Sequence, residues 1–167
     1  SSPNMWTTRW VARTPMDVIE EMEHYMREFG ASNFPFQDLT AIIQKDWIVE
    51  FCQLIVDRGL DITWQLPTGT RAEAIDEEVA ELLKKSGMVT MAYAPESGSD
   101  EIRELIKKRI HKPKLLESMR AAVKHDLHVS CFFVLGFPQD TKKHFQDSLA
   151  FVRQLAETGA QDVAIAF

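Results

Sequence analysis

Apolar residues recur along this chain with two alternating periods. Val18, Met22, Tyr25, Met26 and Phe29 fall on one face of a 3.6-residue repeat. Thr14, Pro15 and Asp17 supply an N-cap, a first-turn proline and an early acid, and Gly30 ends the pattern. The same helical spacing predicts helices over 44–59, 76–87, 100–108, 113–125 and 142–159, two of them closed by Gly59 and Gly87. Between them lie short, nearly continuous apolar runs that predict strands over 32–36, 61–66, 88–94, 128–138 and 161–167.

Strands and helices therefore alternate at roughly 30 residues per unit, the period of βα repeats. Apolar strands each followed by an amphipathic helix predict a parallel sheet covered by helices. An open doubly wound sheet and a TIM-type barrel, or part of one, both satisfy that pattern. No GxGxxG or GxxxxGK[ST] stands at a strand-to-helix turn, which argues against dinucleotide and P-loop folds. No linker, repeat or low-complexity tract interrupts residues 1–167, so one domain is expected. "SSPNMW" resembles the tail of a strand-to-helix loop, and Phe167 ends a strand with no helix after it. The expectation is a fragment of a longer protein whose first strand is missing, with an exposed sheet edge that would favour dimerisation.

Composition narrows the function classes. The chain is 45% hydrophobic and 26% charged, with net charge −6, so no global pull toward nucleic acid or an anionic membrane is expected. Cys52 and Cys131 lie inside apolar runs, which predicts buried packing thiols in a reducing, cytoplasmic setting rather than a disulfide scaffold. Trp47, Trp64, Met22 and Met26 read as core residues. The five histidines are scattered, and neither HExxH nor paired Cys/His spacing occurs.

In both candidate architectures ligands collect at the C-terminal ends of the strands. Those ends carry Gln37, Asp38 and Thr40; Gln65, Thr68, Thr70 and Arg71; Glu96, Ser97, Gly98 and Ser99; and Gly136, Pro138, Gln139, Asp140 and Thr141. Bland readings exist for several. Asp38 can end a strand, Arg71 can be a loop charge, and Ser99 and Asp140 can cap helices. Glu96 is the hardest to dismiss, because a carboxylate follows a run that should be buried.

The stretches "FQDLT", "ESGSDEIRELIKK" and "FFVLGFPQDT", in this order, resemble the radical S-adenosylmethionine enzymes, most of all the subgroup found behind a cobalamin-binding domain. The resemblance implies a partial TIM-type (βα)6 barrel whose strand ends hold S-adenosylmethionine against a [4Fe–4S] cluster. It implies cleavage of the sulfonium to a 5′-deoxyadenosyl radical that abstracts hydrogen from a small-molecule substrate. An electron donor such as a flavodoxin or ferredoxin is expected, and cobalamin where a separate domain supplies it. The family's CxxxCxxC cluster motif is absent, so this stretch by itself is expected to be inactive. By the same resemblance, Gln37 and Asp38 stand where the methionyl amino group is held. Gln65 stands at a ribose-reaching position, Glu96 and Ser97 at the ribose or methionyl end, and Lys108 at the methionyl carboxylate. Phe132, Val134 and Gly136 stand along the adenine, and Arg71 is a looser candidate for a polar contact. The alternatives are another βα-barrel enzyme of aldolase or phosphate-binding type, or a non-catalytic interaction domain. No lysine in a strand offers a Schiff base.

Overall fold

The computed structural model describes residues 11–37, 44–71 and 74–167. Five strands run β1 (Asn33–Pro35), β2 (Thr63–Leu66), β3 (Met88–Glu96), β4 (His128–Val134) and β5 (Asp162–Ala166). They form one sheet in the unbroken order β1-β2-β3-β4-β5, and every neighbouring pair is parallel. Among the described residues six helices join or precede them: α1 (Pro15–Phe29), α2 (Lys45–Asp57), α3 (Glu77–Lys85), α4 (Asp100–Leu105), α5 (Lys112–Lys124) and α6 (Lys142–Thr158).

That order decides between the two architectures left open by the sequence. A doubly wound sheet reverses strand order at a switch point. Here there is none, so crossovers of one hand place every helix on the same face. The helices form a single layer accordingly, with α1 on α2, α2 on α3, α3 on α5 and α5 on α6. This is the wall of a TIM-type barrel. Among the described residues no helix is long and apolar enough to cross a membrane.

Strand alternation fills the seam between the layers. Trp64, Leu66, Met91, Tyr93, Val129, Cys131 and Phe133 point into the core, where Ile19, Ile48, Phe51, Leu83, Met119 and Leu155 meet them from the helices. Phe36, Phe51 and Trp64 pack edge to face with centroids 5.3–5.8 Å apart, and Trp47 stacks on Phe51 at 5.4 Å. The buried polar atoms of this seam are paired: Trp64 donates to Ser86, and the Tyr93 hydroxyl shares a 2.6 Å hydrogen bond with Ser118. Burial drives the Tyr93 phenol above its ordinary pKa.

Most element boundaries fall within a few residues of the hydrophobic pattern, and the exceptions have local causes. The helix expected over 100–108 stops at Leu105, because Lys107 turns left-handed and the Lys108 amide bonds back to Arg103 O at 2.8 Å. Strand β4 ends at Val134, four residues early, where Gly136 takes φ 86°. Strand β3 runs two residues further than expected, through Pro95 to Glu96. It does so with a register shift between Tyr93 and Glu96, so the proline, which has no amide to give, sits at a bulge.

Gly87 marks the tightest entry to a strand. It holds φ 87°, and a Cβ there would lie 2.2 Å from the Ile62 carbonyl oxygen. Gly87→Ala is expected to cost about 3 kcal/mol through strain and overpacking, read as a lower urea midpoint with unchanged m-value.

Candidate functional site at the strand tips

Glu96 ends β3 with φ 64°, a conformation that a non-glycine residue adopts only under constraint. The Ser97 amide closes a three-residue turn over it by donating to Pro95 O at 2.8 Å, the strained hand of the γ-turn. Such outliers concentrate at ligand-binding positions. The carboxylate is 27% exposed and meets Lys108 Nζ at 3.2 Å, the lysine being 36% exposed. Register places Glu96 beside Phe133 of β4, one residue from both Phe132 and Val134. These two half-buried residues alternate with the buried Cys131 and Phe133, and so face away from the helix layer.

The other residues singled out by sequence take varied positions. Gln65 is half-buried on β2 and donates to Asn33 Oδ1 at 3.4 Å. Gln37 is exposed just past β1 and lines a cavity of about 540 Å³ with Phe34, Phe36, Trp47, Phe51 and Trp64. That cavity runs along β1 between α1 and α2, away from Glu96's strand. Arg71 is exposed in the loop after β2. Asp38 lies outside the described residues. Structure thus joins Glu96 with Lys108, and places Phe132 and Val134 on the neighbouring strand, on the face away from the helices. It leaves Gln37 and Arg71 on separate loops.

Ser97 and Gly136 each make hydrogen bonds within the protein. Ser97 is 2% exposed, its hydroxyl lies 3.3 Å from Ser148 Oγ on α6, and it accepts the Ser99 amide at 3.2 Å. Gly98 is small because of that helix: a Cβ would fall 2.4 Å from Asp147 O and 2.5 Å from Ser148 Cα. The glycine admits a helix backbone at this point. Gly136 and Phe137 both donate their amides to Asp140 Oδ2, at 2.8 and 2.9 Å. Asp140 therefore closes its own loop, and Thr141 is the residue that caps α6, in a capping box with His144. Ser99 does cap α4, accepting the Ile102 amide at 3.3 Å.

One residue that the sequence places on the rim without a role stands out. Thr70 bonds through its amide to Ala92 O at 2.9 Å, on the third strand. Its hydroxyl is, among the described residues, the one buried side-chain nitrogen or oxygen without a hydrogen-bond partner. A threonine in a loop carries no sequence signal for this; only burial reveals it.

Neither cysteine suits an iron–sulfur cluster. Cys52 sits on the core face of α2 and Cys131 inside β4, both buried and free. Desolvation pushes each thiol up to about 12, so neither presents the thiolate that iron requires. Among the described residues no three His, Cys, Asp or Glu side chains converge as a metal site.

The geometry has clear relatives. The radical SAM superfamily pattern matches residues 4–152, and the chain belongs to that superfamily. An uncharacterized methyltransferase of Pyrococcus horikoshii is 30% identical over 155 residues, covering 93% of this chain and 33% of that protein. The cytidylyl-2-hydroxyethylphosphonate methyltransferase of Streptomyces wedmorensis is 29% identical over 139 residues, covering 83% and 26%. The chain thus spans a third or less of these curated relatives. In fold it matches the radical S-adenosylmethionine methyltransferase TsrM of Kitasatospora setae, solved with cobalamin and a [4Fe–4S] cluster. The TM-score is 0.78 at 15% identity, over 96% of this chain and 32% of that one.

Two measurements check this account. Thr70→Val removes an unpaired buried hydroxyl at constant shape, so unfolding free energy is expected to rise by about 1 kcal/mol in urea titrations. Both thiols are expected to resist a disulfide reagent at neutral pH in the native protein and to react at once in denaturant.

Proposed function

We propose that this chain is the S-adenosylmethionine-binding part of a radical SAM enzyme, with the cofactor held at the tips of β3 and β4. Glu96 is the observation that carries the reading: a strained, half-buried carboxylate at a parallel strand end, paired with a cation. A carboxylate accepts hydrogen bonds from vicinal hydroxyls, and those of a ribose match its two oxygens. Lys108 has three donors and gives one to Glu96, so it retains capacity for the methionyl carboxylate. Phe132 and Val134 offer the apolar surface that an adenine ring needs. Gln65, fixed by Asn33, supplies an amide one strand further on.

S-adenosylmethionine supplies the 5′-deoxyadenosyl radical once an electron reaches its sulfonium. The chain's own residues bind and orient it; they offer no thiolate for the cluster, whose cysteines we place outside these 167 residues. On that reading this stretch by itself turns nothing over. A flavodoxin- or ferredoxin-like electron donor and a small-molecule substrate complete the proposal. Two methyltransferases among the relatives, and the fold shared with a third, favour methyl transfer with cobalamin carried on a separate domain.

The test is titration of the chain with S-adenosylmethionine, followed by ligand-observed NMR. Saturable binding is expected, and Glu96→Gln and Lys108→Met should each weaken it about tenfold, the value of a charge-assisted hydrogen bond. Saturable binding that neither substitution changes would reject this site.

A further inference from the structure

The strained Glu96 turn is followed by two backbone carbonyls that each meet a cation. Arg103 of α4 donates from Nη1 to Ser97 O at 2.6 Å. Lys112, the first residue of α5, donates from Nζ to Gly98 O at 2.8 Å. Asp100 bridges the pair, bonded to Arg103 Nη2 and lying 3.2 Å from Lys112. Lys112 also stands over the Phe151 ring of α6, 5.0 Å from its centroid.

The position of Lys112 is costly. It opens a helix, where the dipole disfavours a cation. Its side chain is only 30% exposed, and Arg103, whose side chain is 6% exposed, places a second positive charge nearby. Burial first, and Arg103 next, draw the Lys112 ammonium below its ordinary pKa, with Asp147 opposing them. Nothing of this is needed to cap α5, whose N-cap is His111 and whose second residue is Pro113. The favourable contacts that offset it are the Gly98 carbonyl, Asp100 and the Phe151 ring.

We propose that Lys112 and Arg103 are positioning residues that lock the Ser97–Gly98 backbone and thereby hold Glu96 in its strained, ligand-ready turn. The inference rests on Glu96 being the S-adenosylmethionine contact, while both cations are engaged by the loop carbonyls and Asp100. The lock works from the far side of the loop. α6 fixes the Ser97 and Gly98 edge through Ser148, while the two cations fix the carbonyls, so the turn cannot relax by flipping either peptide. The specificity of this arrangement lies in the donors: a residue at 112 needs length, a terminal donor and an apolar stem for Phe151.

Amide hydrogen exchange on the whole chain, read residue by residue by NMR, tests the lock without any ligand. Three loop amides have identified acceptors: Ser97 on Pro95 O, Gly98 on Ser148 Oγ and Ser99 on Ser97 Oγ. Lys112→Met keeps the apolar stem and removes the donor. It is expected to speed exchange of these three amides about tenfold, while core amides such as Cys131 keep wild-type rates. Lys112→Arg, which restores a donor, is expected to recover protection. In the titration above, Lys112→Met should weaken S-adenosylmethionine binding about fivefold, the size of a modest coupling between sites. Unchanged loop exchange in Lys112→Met, or acceleration shared equally by the core, overturns the lock. Faster loop exchange with unaltered affinity overturns its role in positioning. Should the wild-type chain bind no S-adenosylmethionine, the ligand reading falls with that role, and exchange still decides whether the lock exists.

Discussion

Strand order governs this molecule. Five parallel strands follow one another in the sheet as they do in the chain. Each return crossover has one hand, so each helix lands on the same face. The seam between that helix layer and the sheet buries Trp64, Tyr93, Phe133 and the aliphatic side chains around them. All five strands point the same way, so every loop that follows a strand lies on one rim. Chemistry-bearing residues thirty or more positions apart in the chain are thereby brought to one end of the fold.

The rim is shaped by what lies behind it. β3 outruns its pattern through a bulge at Pro95, which carries Glu96 past the last regular pairing. The next three residues pack on α6 and cap α4. Gly98 admits the α6 backbone, Ser97 shares Ser148, and Ser99 caps α4. A motif of small residues beside an acid therefore divides into two functions. The acid faces outward with Lys108, and the small residues anchor it.

The superfamily assignment does not rest on the two cysteines of this chain. Superfamily membership rests on residues 4–152. The two cysteines are core residues with thiols pushed up to about 12 by desolvation. A buried thiol of that kind is inert toward iron for the same reason that it packs well.

The succession of elements was legible from the sequence, because alternating strand and helix periods are local properties of the hydrophobic pattern. Helix caps at Thr14, Ser99 and Gly30 were readable for the same reason, each depending on its nearest neighbours. Glu96 and Lys108 could be suspected from their motif, but their 3.2 Å pairing could not. The choice of barrel wall over doubly wound sheet needed strand order, which no local pattern encodes. The employment of Ser97 and Gly98 by α6, some fifty residues on, and the orphaned Thr70 hydroxyl needed the packed structure as well. Burial and partnership belong to surfaces that meet only in three dimensions. The sequence by itself determined which segments were strands, helices and turns; tertiary structure decided which polar groups those segments would satisfy and which they would leave for a ligand.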